Sequence, residues 1–150
     1  MITIITVGKI KEKYFSEAIK EYQKRLSKYT KLELIELPDY DGDKTTVLRK
    51  EGELILKSIP SKSYVITMEI DGEIIDSETL SKKIDTMLIK YPSITFIIGG
   101  SYGLADDVKD KSDYKLSFSK LTFPHQLFRV ILLEQIYRSF KIIKNEAYHK

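Results

Sequence analysis

The sequence predicts an α/β fold, a mainly parallel sheet flanked by helices, in one domain over residues 1–150. Three observations predict it. Short β-rich apolar runs alternate with helical patterns along the chain. The helical patterns are long enough to be right-handed crossovers between parallel strands, covering both faces of a sheet. Size and composition allow one core: 150 residues, 42% hydrophobic and 31% charged, with 7 Gly, 4 Pro and no repeat or linker.

The elements follow in order. Ile2–Val7 is a strand in which every residue is β-branched. Tyr14, Phe15, Ala18, Ile19, Tyr22 and Leu26 then recur at helical spacing. Leu32–Leu37 is a second strand, and Val47, Leu48, Leu54, Ile55 and Ile59 mark a second helix. Tyr64–Ile70 is a third strand. Leu80, Ile84, Met87, Leu88 and Tyr91 mark a third helix, which Asp76 or Ser77 can cap. Ile94–Ile98 is a fourth strand and Tyr114–Phe118 a weaker fifth. From Gln126 to Phe140 apolar residues surround nearly the whole circumference of a helix, interrupted by Arg129, Glu134, Gln135 and Arg138. A helix apolar all round needs cover on every side, which predicts a homodimer built on residues 126–140. Glu134 and Arg138, four apart, read as an ion pair along that helix.

Several function classes lose their anchors. Without cysteine there is no disulfide framework, thiolate zinc site, iron-sulfur cluster or Cys nucleophile, and a reducing compartment, the cytoplasm, is expected. Met1–Val7 lacks the basic flank of a secretory signal, and no run approaches the roughly 18 apolar residues of a membrane span, so no membrane partner is expected. Two histidines separated by a helix, with no HExxH or EF-hand spacing, imply no metal. The absence of GxGxxG and GK[ST] counts against a nucleotide-binding oxidoreductase or hydrolase, and the absence of GxSxG against a serine triad. A non-catalytic RNA-binding or ribosome-binding module is the other reading the pattern permits.

Charge is divided along the chain. Residues 9–31 carry eight Lys/Arg against three Asp/Glu (+5) and residues 117–150 six against two (+4), whereas 32–116 carry 11 against 17 (−6). Both ends are therefore candidates for a polyanion, although a Lys-rich helix is also an ordinary solvated face.

In sheets of this kind ligands sit beyond the carboxyl ends of the strands. Ile94–Ile98 runs into Gly99-Gly100-Ser101-Tyr102-Gly103, which either makes a tight turn or lets backbone amides approach a ligand. A second loop, Ser119 to His125, joins the fifth strand to the apolar helix. Pro124 suits a helix start, and His125 behind it is expected to be neutral and satisfied by backbone. The last residues, Ala147 to Lys150, read by position as a frayed terminus.

Taken together, Phe96–Leu104, Leu116–His125, Arg129-Val130, Glu134–Arg138, the ending Tyr148-His149-Lys150 and the opening Ile4–Lys9 resemble the RlmH family, the ribosomal large-subunit methyltransferases H of the SPOUT class. The resemblance spans essentially the whole chain. It implies a homodimer with a deep C-terminal trefoil knot that uses S-adenosylmethionine to methylate N3 of a pseudouridine in 23S rRNA of the assembled 70S ribosome. By matching position it places cofactor contacts on Met68, Gly100, Ser119, Lys120, Leu121, Thr122, Phe123 and Pro124. Met68 stands where many relatives have leucine, and an unbranched thioether still packs on an adenine face. The resemblance also implies that His149 is the base for the N3 proton, that Tyr148 stacks on or bonds to the target base, and that Lys150 supplies charge where relatives often have arginine. Arg129 and Arg138 are left to phosphates or the dimer interface.

Overall fold

Strands and helices alternate without exception: β1 (Ile2–Val7), α1 (Lys13–Leu26), β2 (Leu32–Leu37), α2 (Lys44–Ser58), β3 (Ser63–Ile74), α3 (Ser77–Lys90), β4 (Ser93–Ile98), α4 (Asp106–Lys111), β5 (Tyr114–Ser117) and α5 (His125–Ile143). In the computed structural model, which describes residues 1–150, the strands form one sheet in the order β2-β1-β4-β3-β5, with every adjacent pair parallel. A helix follows each strand, so no strand doubles back on its predecessor and the sheet is wholly parallel.

Side-chain alternation divides β1 between two cores. Ile2 and Ile4 join Leu26, Leu80, Ile84 and the inner face of α5 on one side, and Ile5 and Val7 join Ile55, Leu104 and Val108 on the other. Thus α1, α3 and α5 cover one face and α2 and α4 the other. The chain leaves neighbouring strands β1 and β4 toward opposite faces, as it does β4 and β3, opening crevices at their carboxyl ends. Asp76 is the cap of α3, accepting from Thr79 N–H at 2.7 Å, and Asp43 caps α2 in the same way.

The structure departs from the sequence pattern at four points. β3 continues to Ile74, because its register on β5 slips: Met68 and Glu73 both face Leu116, and residues 69–72 bulge from the ladder. Gly72 permits this, since a Cβ there would lie 2.8 Å from the backbone of Lys115 and Leu116. α4 was not foreseen; it buries only Val108 and is too short to show a period. The apolar circumference of α5 is largely covered within one chain, where Leu132, Leu133, Ile136 and Phe140 are buried against α1, α3 and the sheet. Leu127, Val130 and Ile131 stay half-buried. Finally, Arg129 is 5% exposed and so is offered to neither phosphate nor partner.

Candidate active site

A cavity of about 480 Å³ opens at the carboxyl ends of β4 and β5, beside the bulge of β3. This lies within the usual range of small-molecule sites, roughly 300–1,000 Å³. Its floor is the turn Gly99–Gly103, its apolar wall is Met68, Leu116, Phe118, Phe123 and Phe128, and the bulged residues Glu69 and Asp71 form part of its rim. The aromatic part of the wall is self-supporting, with Phe118 and Phe123 each packed on Phe128 at centroid distances of 5.2 and 5.9 Å.

Two contacts close the turn. Gly103 N–H donates to Gly100 O at 3.0 Å, and the Nε2 of His125, in the first turn of α5, bonds Gly99 O. A Cβ on Gly99 would stand 2.6 Å from the carbonyl carbon of Gly103, so glycine is required there by close approach. Burial holds the His125 imidazole below its ordinary pKa, the Gly99 bond opposing and Arg129 assisting the shift, and the neutral ring donates from Nε2. His125 is thus the backbone-satisfied neutral histidine that its position suggested.

Of the eight residues assigned to the cofactor by resemblance, Met68, Gly100, Ser119, Leu121, Thr122 and Phe123 line this cavity. Lys120 and Pro124 do not. The Lys120 ammonium lies 3.9 Å from Asp71 at the surface, and Pro124 is the N-cap residue of α5. Ser119 Oγ accepts from Leu121 N–H at 2.9 Å, fixing the loop from within.

The three C-terminal residues gather elsewhere. Tyr148 donates to Glu134 Oε1 at 3.2 Å, and Arg138 binds the same oxygen at 2.6 Å while its Nη1 meets His149 Nδ1 at 3.1 Å. An arginine can only donate, so Nδ1 accepts and the neutral His149 ring carries its proton on Nε2. Burial and then the Glu134 carboxylate push the Tyr148 phenol above its ordinary range. The expected Glu134–Arg138 ion pair is present and anchors the whole terminus, while Lys150 is exposed. His149 borders a second cavity beside Asp76 and Gln135, which shares Leu116, Phe118 and Phe123 with the first. Within one chain, then, an apolar partition separates the candidate base from the first cavity.

Two buried groups stand beside the site: Arg129, which the sequence leaves to phosphates or an interface, and Glu51, which its pattern does not single out. Arg129 donates to Val7 O (2.9 Å), Gly8 O (2.7 Å) and Glu36 Oε2 (2.9 Å), pinning the end of β1 to α5. Glu51, 3% exposed, takes Tyr40 N–H on Oε2 at 3.2 Å, and its Oε1 is 2.9 Å from where a Gly100 Cβ would be. Burial raises its pKa, with Asp39 adding to the shift against the Tyr40 bond. The signal was a glutamate at i+4 between Val47 and Ile55, on the buried stripe of α2.

The family described as "Predicted SPOUT methyltransferase" matches residues 1–149. A Methanococcus maripaludis protein, provisionally named ribosomal RNA large subunit methyltransferase H, is 59% identical over 99% of both chains. A Clostridium perfringens protein named ribosomal RNA large subunit methyltransferase H 1 is 54% identical, again over 99% of both. Among solved structures, "a probable methylase family protein from Haemophilus influenzae Rd KW20" superposes with a TM-score of 0.56 at 18% identity, covering 99% of this chain and 70% of that one, a likeness of fold alone.

Proposed function

We propose that this chain, which belongs to the RlmH family of SPOUT-class ribosomal RNA large subunit methyltransferases, transfers a methyl group from S-adenosylmethionine to N3 of a pseudouridine in 23S rRNA of the assembled ribosome, in the cytoplasm. The observation that carries the reading is the cavity between the Gly99–Gly103 turn and residues 118–123. Its residues fit the donor: Met68, Phe118 and Phe123 offer apolar area to an adenine, the backbone of Gly100, Ser119, Leu121 and Thr122 offers donors and acceptors, and Glu69 offers negative charge to a sulfonium or an ammonium. When bound, the donor supplies an activated methyl on sulfur, displaced in line by a nitrogen nucleophile. The protein's part is orientation and the fate of the N3 proton.

For the proton, His149 is the proposed base, with Tyr148 on the target base and Lys150 adding charge. Its Nδ1 lone pair is held by Arg138, so acceptance requires the ring to part from that guanidinium. The Leu116–Phe118–Phe123 partition supports a site completed by a second copy, whose terminus reaches the donor cavity from outside. The half-buried Leu127, Val130 and Ile131 of α5 supply an apolar seam for such a homodimer. The C-terminal trefoil knot is proposed on the same family grounds. The cationic face of α1, with Lys20 and Lys24, serves rRNA phosphates. Ribosomes lacking the modification, incubated with the protein and donor labelled in the methyl group, are expected to acquire label at N3 of one 23S rRNA pseudouridine. No label would reject transfer, and label elsewhere would reject the site. His149→Ala is expected to abolish labelling while leaving donor binding intact, and Lys20→Glu with Lys24→Glu to raise KM for ribosomes.

A further inference from the structure

Outside the two cavities, the chain at the start of α1 sets cations beside an unburied aromatic. In the loop after β1 and the first turn of α1, Lys9, Lys11 and Lys13 are exposed, and Tyr14 is 63% exposed although large aromatic rings usually bury their area. Lys20, Lys24 and Lys28, four residues apart, extend the cationic strip along α1. The backbone beneath is fixed at four positions. Gly8 N–H donates to Leu37 O at 2.7 Å and Ile10 N–H to Glu36 Oε2 at 3.2 Å, while Lys11 and Glu12 N–H share Gln126 Oε1 at 2.9 and 3.2 Å. Gln126 follows His125, whose ring holds the glycine turn of the donor cavity. Consecutive side chains of one helical turn thus anchor both the cationic loop and the donor site.

Lysines alone would suit any polyanion. A presented ring selects further, because single-stranded nucleic acid exposes base faces for stacking and a duplex does not. We propose that this surface receives a single-stranded segment of the RNA substrate, with its phosphates on Lys9, Lys11 and Lys13 and one base stacked on Tyr14. The inference rests on the chain acting on RNA, and adds the residue that grips a base outside the reacting one.

The chain contains no tryptophan, so Tyr14→Trp installs a single fluorophore in the surface. A short oligouridylate carrying a terminal dye is titrated at low salt, recording dye anisotropy and the emission of Y14W together. Emission is expected to quench in step with the anisotropy rise. Tyr14→Ala is expected to weaken binding roughly tenfold and Tyr14→Phe to stay within about twofold, since stacking uses the ring and not the hydroxyl. Affinity for S-adenosylhomocysteine should be equal in all variants, showing that each is folded. Rising anisotropy with constant emission would overturn the stacking role and leave RNA binding standing. Flat anisotropy, together with failure to label ribosomes, would remove both readings. An emission that shifts with protein concentration before RNA is added would overturn the proposal by placing Tyr14 between two copies of the chain.

Discussion

Replacing Gly99 by alanine tests whether the closed glycine turn is the floor of the donor site. The added methyl would run into the Gly103 carbonyl oxygen, its nearest neighbour, and would stand 2.6 Å from the carbonyl carbon and 2.9 Å from Leu104 Cδ2, whereas ordinary contact begins at 3.4 Å, so the turn must open by more than about 0.8 Å. Overpacking of this kind costs about 1–3 kcal/mol, and the strained Gly103-to-Gly100 bond adds about 0.5–1.5 kcal/mol. Ser101 and Tyr102 are exposed, so the turn yields outward and the cost falls mainly on the form that binds donor. About 2–4 kcal/mol corresponds to a roughly thirtyfold to several-hundredfold loss of affinity. Isothermal calorimetry with S-adenosylhomocysteine reads it directly, with circular dichroism confirming the fold. Gly42→Ala is the control: at φ +126 with nothing within 4 Å of a Cβ, it strains a remote loop without touching the cavity. A folded Gly99→Ala protein that binds within about threefold of the parent chain would refute the reasoning.

Three further outcomes follow from the buried polar groups. Arg129→Met strips the carbonyls of Val7 and Gly8 of their donor, and is expected to cost about 2–6 kcal/mol, from about 1–3 kcal/mol for each acceptor left unpaired, a fall in Tm of roughly 4–24 °C for a domain of this size; a loss below about 1 kcal/mol in urea unfolding contradicts the contacts described. Because burial lowers the His125 pKa, the unfolded chain takes up a proton that the folded chain refuses. Stability should therefore be full above the unfolded value of 6.5, fall as pH drops from there to the lowered folded value, and lose that dependence in His125→Gln; an unchanged pH profile in the variant assigns the dependence elsewhere. The raised Glu51 pKa has the opposite sense: the folded chain prefers the protonated carboxyl, and ionisation costs stability as pH rises beyond 4.5. Glu51→Gln should accordingly raise Tm more at neutral than at acidic pH, and a variant less stable at neutral pH would show that the charge is used.

What the sequence disclosed, it disclosed through local pattern. β1 and β4 are buried along their whole length and read as largely apolar, β-branched runs broken only by small hydroxyl residues, and α1 and α3 show their inner faces as periodicity. The strand order did not, because pairing β1 with β4 joins residues some ninety apart in the chain and leaves no trace in either segment alone. The bulge at residues 69–72 looked like a strand end, since Glu69 and Asp71 interrupt the apolar run where the chain leaves the ladder. For the site, Gly99–Gly103 announced itself because close backbone approach demands glycine. Arg129 misled for a physical reason: a guanidinium is costly to bury, so phosphate or an interface was the natural reading. Two backbone carbonyls and Glu36 compensate that cost in the fold, and only the tertiary structure brings them together.

The account depends most on the cavity between the Gly99–Gly103 turn and residues 118–123 being the seat of the methyl donor. A crystal structure grown with S-adenosylhomocysteine tests it most directly. Electron density for the nucleoside against Met68 and Phe123, with polar contacts to the backbone of Gly100 and the 119–122 loop, is the predicted result. Product bound anywhere else, with that cavity holding only solvent, would contradict it.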